Sequence, residues 1–328
     1  MRRSSIVSFF LMIILVGAGS WGFLVHRTVN QLAIYELPKG MHRFFYSEKE
    51  YLVYNAPRPD IRRSTDSTEG NKHFLDFEYY GDQPFRDIPR EWNAAVAKYS
   101  KDTLIKYGTL PYTLVATQQK LTQAFRMKNR DSIIFYAADI GHYIADAHVP
   151  LHTSLNYDGQ LSNQRGLHDL WETTVPEIEI TNFSLKTHHK AQYLPSVTKR
   201  VWDILENTHR LLPQLFAQEK EVSKQFTDST KYRWQVRWGK NRRFYTSDFA
   251  KAYNRALGSS INNQLIASAN AIADFWYTAW VDAGKPDLTP LITKRNSKQG
   301  FNKERKACRK GALLDKGWLI SKQKPSDE

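Results

Sequence analysis

Apolar positions recur at helical spacing along most of the chain. In residues 25–37, Val29, Leu32, Ala33 and Leu37 share one face, and Pro38-Lys39-Gly40 ends the run. Residues 131–147 carry the strongest pattern. Ile133, Tyr136, Ala137, Ile140, Ile144 and Ala147 return about every 3.6 residues, until Pro150 closes the segment. Residues 110–127 predict a second strong helix, 89–106 another with Pro89 at its first position, and 167–174 a further one. Two long amphipathic stretches cover 197–225 and 248–283, whereas 51–78 and 156–166 are polar, Pro- or Gly-bearing loops. Period-two alternation is nearly absent, and no internal repeat is visible. The pattern predicts one all-α domain over residues 21–290. After Pro290 the chain turns basic and polar, and 291–328 is expected to be a flexible tail, disordered over 293–310.

The first twenty residues follow a different pattern. Arg2 and Arg3 precede an apolar run over 6–16, and Ala18 and Ser20 place small residues at −3 and −1 of a cut before Trp21. That is the three-part arrangement of a secretory signal, and the run is short of the ~20 residues that span a bilayer. The expected mature protein is secreted or periplasmic, starts at Trp21, and carries a free α-amine there.

Composition narrows the chemistry. With 41% hydrophobic and 24% charged residues among 328, global disorder and collagen-like structure are excluded. The single cysteine, Cys308, excludes an intrachain disulfide framework and cysteine-based zinc fingers. Any transition-metal site must use nitrogen and oxygen ligands. The net charge of +14 is uneven: residues 294–328 carry +7 and Arg2 and Arg3 another +2, leaving a body of only +5. The headline charge is therefore not a nucleic-acid signature of the fold.

Two segments carry His-x-x-x-Asp/Glu, His142 with Asp146 and His168 with Glu172. Spacing of four puts both side chains on one helical face, and imidazole with carboxylate forms half of a metal site. One such pair is commonly a surface ion pair. Two pairs within 31 residues, with His152 between them, are harder to explain that way. His142 and Asp146 also sit in a very apolar helix, where an unpaired charge is costly. His26, Asp60 and His73 add ligand types nearby, although each alone reads equally as a structural residue.

The runs His142-Tyr143-Ile144-Ala145-Asp146-Ala147-His148-Val149-Pro150-Leu151-His152 and Gly166-Leu167-His168-Asp169-Leu170-Trp171-Glu172 resemble the core of the trinuclear-zinc phosphoesterases. That superfamily joins zinc-dependent phospholipase C with single-strand-specific nucleases. Trp21-Gly22 through His26, Asp60, and His73-Phe74-Leu75-Asp76 match its motifs in the same order, so the resemblance covers 21–172. It implies a single multi-helix domain of that type with three zinc ions. The first would be held by Asp60, His73, His142 and Asp146, and the second by His152, His168 and Glu172. The third would be held by the Trp21 amine and carbonyl, His26 and the other oxygen of Asp146. It further implies phosphodiester hydrolysis by a metal-bridging hydroxide, with Asp60 orienting or deprotonating the nucleophile and Asp76 fixing a ligand or a turn. His148 has no role to carry over, and His42, His188, His189 and His209 have no ligand pattern.

Substrate choice is divided. Glu172 and the short His152-to-His168 spacing resemble the phospholipase branch, while the short Trp21-to-His26 spacing resembles the nuclease branch. The phospholipase's choline pocket would fall on Leu24, Ile61 and Gly70, which supply neither counter-charge nor aromatic walls. The nucleases carry disulfides that one cysteine cannot make. They also need stacking surfaces, for which Tyr79, Tyr80 and Phe85 are candidates. The partners implied are a phosphodiester substrate, as a phospholipid headgroup or single-stranded nucleic acid, and a membrane surface, with no obligate protein partner. The reading leans to a phospholipase C-like enzyme, with the nuclease next. A non-catalytic, metal-stabilised helical binding protein is the alternative of another class.

Overall fold

Helix Arg130–Ala147 is the element on which the site is built. The Asn129 side chain accepts a hydrogen bond from the Ser132 amide at 2.9 Å and caps its start. From Ala137 to Ala147 every residue is buried, as expected for a helix apolar on all faces. Helices Gly22–Ile34, Leu110–Arg126 and Ser260–Asp282 pack around it. Gly141 lets the first of these come close, because a Cβ there would meet Asn30 Oδ1 at 2.2 Å.

The computed structural model describes residues 22–237, 239–293 and 298–322. The leader expected over 1–20 and Trp21 lie outside the described residues. The described chain is predominantly helical, in the all-α class. No helix in it is long and apolar enough to cross a membrane.

The long amphipathic stretches each divide. Residues 89–106 form Trp92–Tyr99 and Lys101–Tyr107, broken at Ser100, whose φ is 69° and whose hydroxyl caps the second helix. Residues 197–225 form Val197–His209 and Leu212–Ser223. Residues 248–283 form Ser247–Leu257 and Ser260–Asp282, with Gly258 between them. Strands Tyr232–Arg237 and Lys240–Tyr245, which the helical pattern does not predict, pair as an antiparallel hairpin with Trp234 opposite Arg243.

The flexible tail expected over 291–328 is corrected for residues 298–322, which hold helix Lys298–Arg309 and a packed segment after it, while 294–297 and 323–328 lie outside the described residues. Phe301, Ala307, Cys308, Leu313, Leu319 and Ile320 are buried. Glu304 accepts hydrogen bonds from Tyr35 at 2.6 Å, Tyr46 at 2.7 Å and Lys49 at 2.8 Å. Gln31 bonds the Trp318 carbonyl at 2.7 Å and the Ile320 amide at 3.0 Å, and Thr28 meets Ser321 at 2.8 Å. Mean polarity misled here because a narrow apolar stripe suffices to dock a helix whose other faces are charged. The folded unit thus runs past residue 290 to at least 322.

Two apolar clusters form the core. The larger includes Leu32, Phe45, Ile140, Ile144, Phe275 and Trp276. The smaller includes Leu167, Leu170, Trp171, Tyr245, Phe249 and Tyr253. His142 and Asp146 project from a helix of the first, His168 and Glu172 from a segment of the second, so the polar site lies where the two meet.

Candidate metal centre

His142 and Asp146 stand one turn apart on helix Arg130–Ala147, with Nε2 3.3 Å from Oδ2. His142 Nδ1 lies 3.0 Å from the Ala56 carbonyl. A proton on Nδ1 satisfies that bond and leaves the Nε2 lone pair facing the site. His73 arrives on the turn Gly70–His73, which is tied down by backbone bonds from Thr109 to Asn71 at 2.7 Å, Leu110 to Phe74 at 3.2 Å and Leu75 to His152 at 2.9 Å. Gly108 permits this approach: its φ is 98°, and a Cβ there would lie 2.1 Å from the Phe74 carbonyl oxygen. His73 Nδ1 thereby comes within 3.1 Å of His142 Nε2 and 2.9 Å of Asp146 Oδ2. Asp60, on the short helix Arg58–Arg62, places Oδ1 3.6 Å from His73 Nδ1 and 3.8 Å from His142 Nε2.

A second group forms from the other segment. Helix turns across Asp169–Thr174 are π-helical, a local widening often found at functional sites. His168 Nε2 lies 2.7 Å from Glu172 Oε2, and His152 Nε2 lies 3.2 Å from His168 Nε2 and 3.3 Å from Glu172 Oε2. His152 Nδ1 faces the His73 carbonyl at 2.6 Å and His168 Nδ1 the Tyr157 carbonyl at 3.2 Å. In both rings these backbone acceptors leave Nε2 free to donate its lone pair.

His26 completes the cluster. Its ring stacks on His142 with centroids 3.9 Å apart, and its Nε2 lies 3.5 Å from Asp146 Oδ1 and 3.9 Å from Glu172 Oε1. Its buried Nδ1 has no hydrogen-bond partner. Asp146 therefore turns Oδ2 to His73 and His142 and Oδ1 to His26. All eight side chains expected as ligands, His26, Asp60, His73, His142, Asp146, His152, His168 and Glu172, are brought together. They make three groups able to hold a metal ion, the first two sharing His142: His26, His142 and Asp146; Asp60, His73 and His142; and His152, His168 and Glu172. Trp21, the ninth expected ligand, lies outside the described residues.

The donor chemistry fits cations. Metal–ligand bonds of ~2.0–2.2 Å in a tetrahedron separate ligand atoms by about 3.3 Å, which is the spacing found around His73 and His152. Lone pairs converging at such distances repel unless a proton or a metal ion lies between them. Among the side chains alone, burial and then the neighbouring His142 push His26 down to about 4. Burial is the largest single influence and opposes charge on His142 and His152, yet Asp146 together with Asp60 for the first and Glu172 for the second outweighs it and raises both to about 9. Asp146 and Glu172 are likewise buried against their charge, and their histidine partners hold both well below the usual carboxylate range. The cluster thus pairs buried anions with rings that bind a proton or a metal in the same position.

Pattern reading did not single out Glu69. This fully buried carboxylate lies 3.5 Å from His73 Nε2. It accepts from Arg62 at 3.0 Å, Lys72 at 2.8 Å and the Tyr143 hydroxyl. Burial opposes its charge, but the nearby His73 ring and the hydrogen bonds from Arg62, Lys72 and Tyr143 prevail and hold it far below the usual carboxylate range. Its signal was the same four-residue spacing, read backwards from His73. Asp76 enters through its backbone, whose amide bonds the Tyr107 carbonyl at 2.8 Å.

The remaining histidines with assigned contacts are structural. His148 is buried with Nδ1 2.7 Å from the Ile144 carbonyl. His209 bonds Thr153 at 3.0 Å, His189 bonds Asp274 at 2.7 Å, and His42 stacks on Phe301. Of the candidate stacking residues, Tyr80 is buried, Phe85 packs on Phe77, and Tyr79 lays one face on Tyr107 with centroids 3.5 Å apart. No protein-family model matches the chain, and no curated protein matches it.

Proposed function

We propose that the protein is a zinc-dependent phosphodiesterase of the phospholipase C type, exported and cut before Trp21, with about three zinc ions per chain. The observation that carries this reading is the arrangement of rings around Asp146 and Glu172. His142, His152 and His168 each direct Nδ1 at a backbone carbonyl and Nε2 at a carboxylate. On this reading Asp60, His73, His142 and Asp146 hold one ion, and His152, His168 and Glu172 a second. His26, Asp146 and the Trp21 amine hold the third. Bound zinc would supply an activated water near neutral pH and neutralise phosphate charge.

The side chains divide the remaining work. His26, His142 and Asp146 are closed off from solvent, whereas Asp60 and His168 keep about a quarter of their surface exposed, at 22% and 30%. Substrate therefore approaches along the Asp60–His168 edge. Asp60 accepts the proton of the attacking water or orients it. Arg63, with Nη1 3.6 Å from Asp60 Oδ1 and half its surface exposed, meets the negative charge of the diester. Tyr80 is buried, whereas Tyr79 is exposed and Phe85 half-buried, so the preference for lipid over nucleic acid rests on Glu172 and the short His152-to-His168 spacing.

A side-by-side assay on phosphatidylcholine, single-stranded DNA and RNA, with and without chelator, tests this. Chelator-sensitive release of phosphocholine is the expected result. Turnover confined to nucleic acid would move the protein to the nuclease branch. Bound zinc with no turnover on any diester would make it a metal-stabilised binding protein.

A further inference from the structure

Beyond the site, one exposed element has a composition that its own packing does not explain. The hairpin of Tyr232–Arg237 and Lys240–Tyr245 is anchored at its root. Lys231 pairs with buried Glu219 at 2.7 Å, and the buried Tyr245 ring joins Leu170 and Trp171 in the smaller core. Beyond the root, the stretch 233–243 holds Arg233, Arg237, Lys240, Arg242 and Arg243, and no acidic residue lies between Asp228 and Asp248. Trp234 and Val236, two positions apart on one face of their strand, are 69% and 71% exposed.

We propose that this hairpin docks the protein on an anionic lipid surface, with Trp234 and Val236 entering the headgroup layer and Arg233 and Arg243 pairing with lipid phosphates. Indole rings settle at the interface of bilayer and water, and each nearby cation adds attraction to an anionic leaflet. Charge alone would suit nucleic acid equally, so the apolar residues decide. Val236 has no π-face on which a base could stack. Tyr232 has its ring covered by the Arg243 guanidinium, 3.8 Å from the centroid. Among the described side chains on that face Trp234 has no second platform of the kind single-strand binders use, whereas an exposed Trp and Val on one face both gain by leaving water. The hairpin's second strand packs against the segment Asp169–Thr174 that carries Glu172, so docking would fix that segment relative to the surface.

Co-sedimentation of the full mature protein tests this, using vesicles of phosphatidylcholine with phosphatidylglycerol, vesicles of phosphatidylcholine alone, and a single-stranded oligonucleotide as competitor. Binding is read without turnover, so it stands or fails independently of the proposed hydrolysis. Wild type should sediment with the anionic vesicles and far less with the neutral ones. Trp234→Ser with Val236→Ser should weaken this about tenfold or more. Arg233→Gln with Arg243→Gln should weaken it by roughly fivefold per charge and flatten the salt dependence. Both variants should keep wild-type helical content and wild-type hydrolysis of a small soluble diester. Equal sedimentation of wild type and both variants would overturn the proposal. So would an oligonucleotide that binds more tightly than the vesicles and loses affinity in the same variants, which would make the hairpin a nucleic-acid contact.

Discussion

His142 Nε2 and His73 Nδ1 face each other at 3.1 Å, with Asp146 Oδ2 within 3.3 Å of both. His142 spends its other nitrogen on the Ala56 carbonyl, and His73 turns its own towards Glu69. Two rings oriented from outside, with a carboxylate between them, form a clamp whose strength depends on every member.

Asp146 is the member shared by most of the cluster. Asp146→Asn should lose the ions assigned to both of its oxygens and lower turnover by more than about 100-fold, beyond the usual cost of losing an outer partner. Elemental analysis with a diester assay checks this. Asp169→Asn is the control: Thr174 Oγ1 donates to Asp169 Oδ2 at 3.0 Å, an amide oxygen accepts equally well, and metal content should stay at the wild-type level.

Glu69→Gln should act through His73. The neutral amide keeps the shape but gives up the anion that Arg62 and Lys72 surround. We expect zinc affinity at the Asp60–His73–His142 group to fall about 10–100-fold, with no change at His152, His168 and Glu172. Competitive titration with a zinc indicator should resolve one weakened class of site. Uniform weakening of all sites would mean that Glu69 serves the fold alone.

Phe301→Ala tests the docked C-terminal helix. The ring is 2% exposed and stacks on His42 at 4.4 Å between centroids. Its removal should cost ~3–5 kcal/mol, read as a lower denaturant midpoint. An unchanged midpoint would mean that the helix adds nothing to the folded unit.

Glu36 supplies a pH signature away from the metal ligands. Burial raises its carboxyl to about 7, against the hydrogen bond from Thr187 and the charge of His189, and with the aid of Asp274. The folded value lies above the ordinary one. Its contribution is therefore fully present below the unfolded value and is lost as pH rises through about 7. Glu36→Gln stays neutral throughout. The variant's melting temperature should gain on wild type between pH ~5 and ~7.5, by several degrees, and then level off. Parallel calorimetric scans check the sign, and a constant difference across that range would refute it.

Much of this was legible in the chain. The apolar period of 131–147 marks the central helix within a residue of its ends, and the four-residue spacings in it and in 168–172 mark four of the donors. What escaped depends on contacts between distant segments. Glu69 gains its importance from Arg62 and Tyr143, which the fold brings to it. Strand Tyr232–Arg237 is only six residues long, so its alternation is lost beside helices three times its length. The C-terminal helix was hidden by averaging, because Phe301, Ala307 and Cys308 form a stripe among charges that dominate the composition. The breaks at Ser100 and Gly258 depend on single backbone conformations to which periodicity is blind.

The hydroxyl pair of Thr28 and Ser321 joins residues 293 positions apart, two residues beyond His26 at one end and near the last described residue at the other. During synthesis the first helix leaves the ribosome long before the segment that clasps it. Until then Thr28 and Gln31 keep only their local bonds to Leu24 and Tyr35, and His26 rides on a helix not yet fastened to the C-terminal segment. Loop closure of this length is slow to reward the chain. Completion of the His26 side of the cluster therefore waits for the segment around Ser321, and a product stopped short of residue 320 lacks the contacts that fasten the first helix.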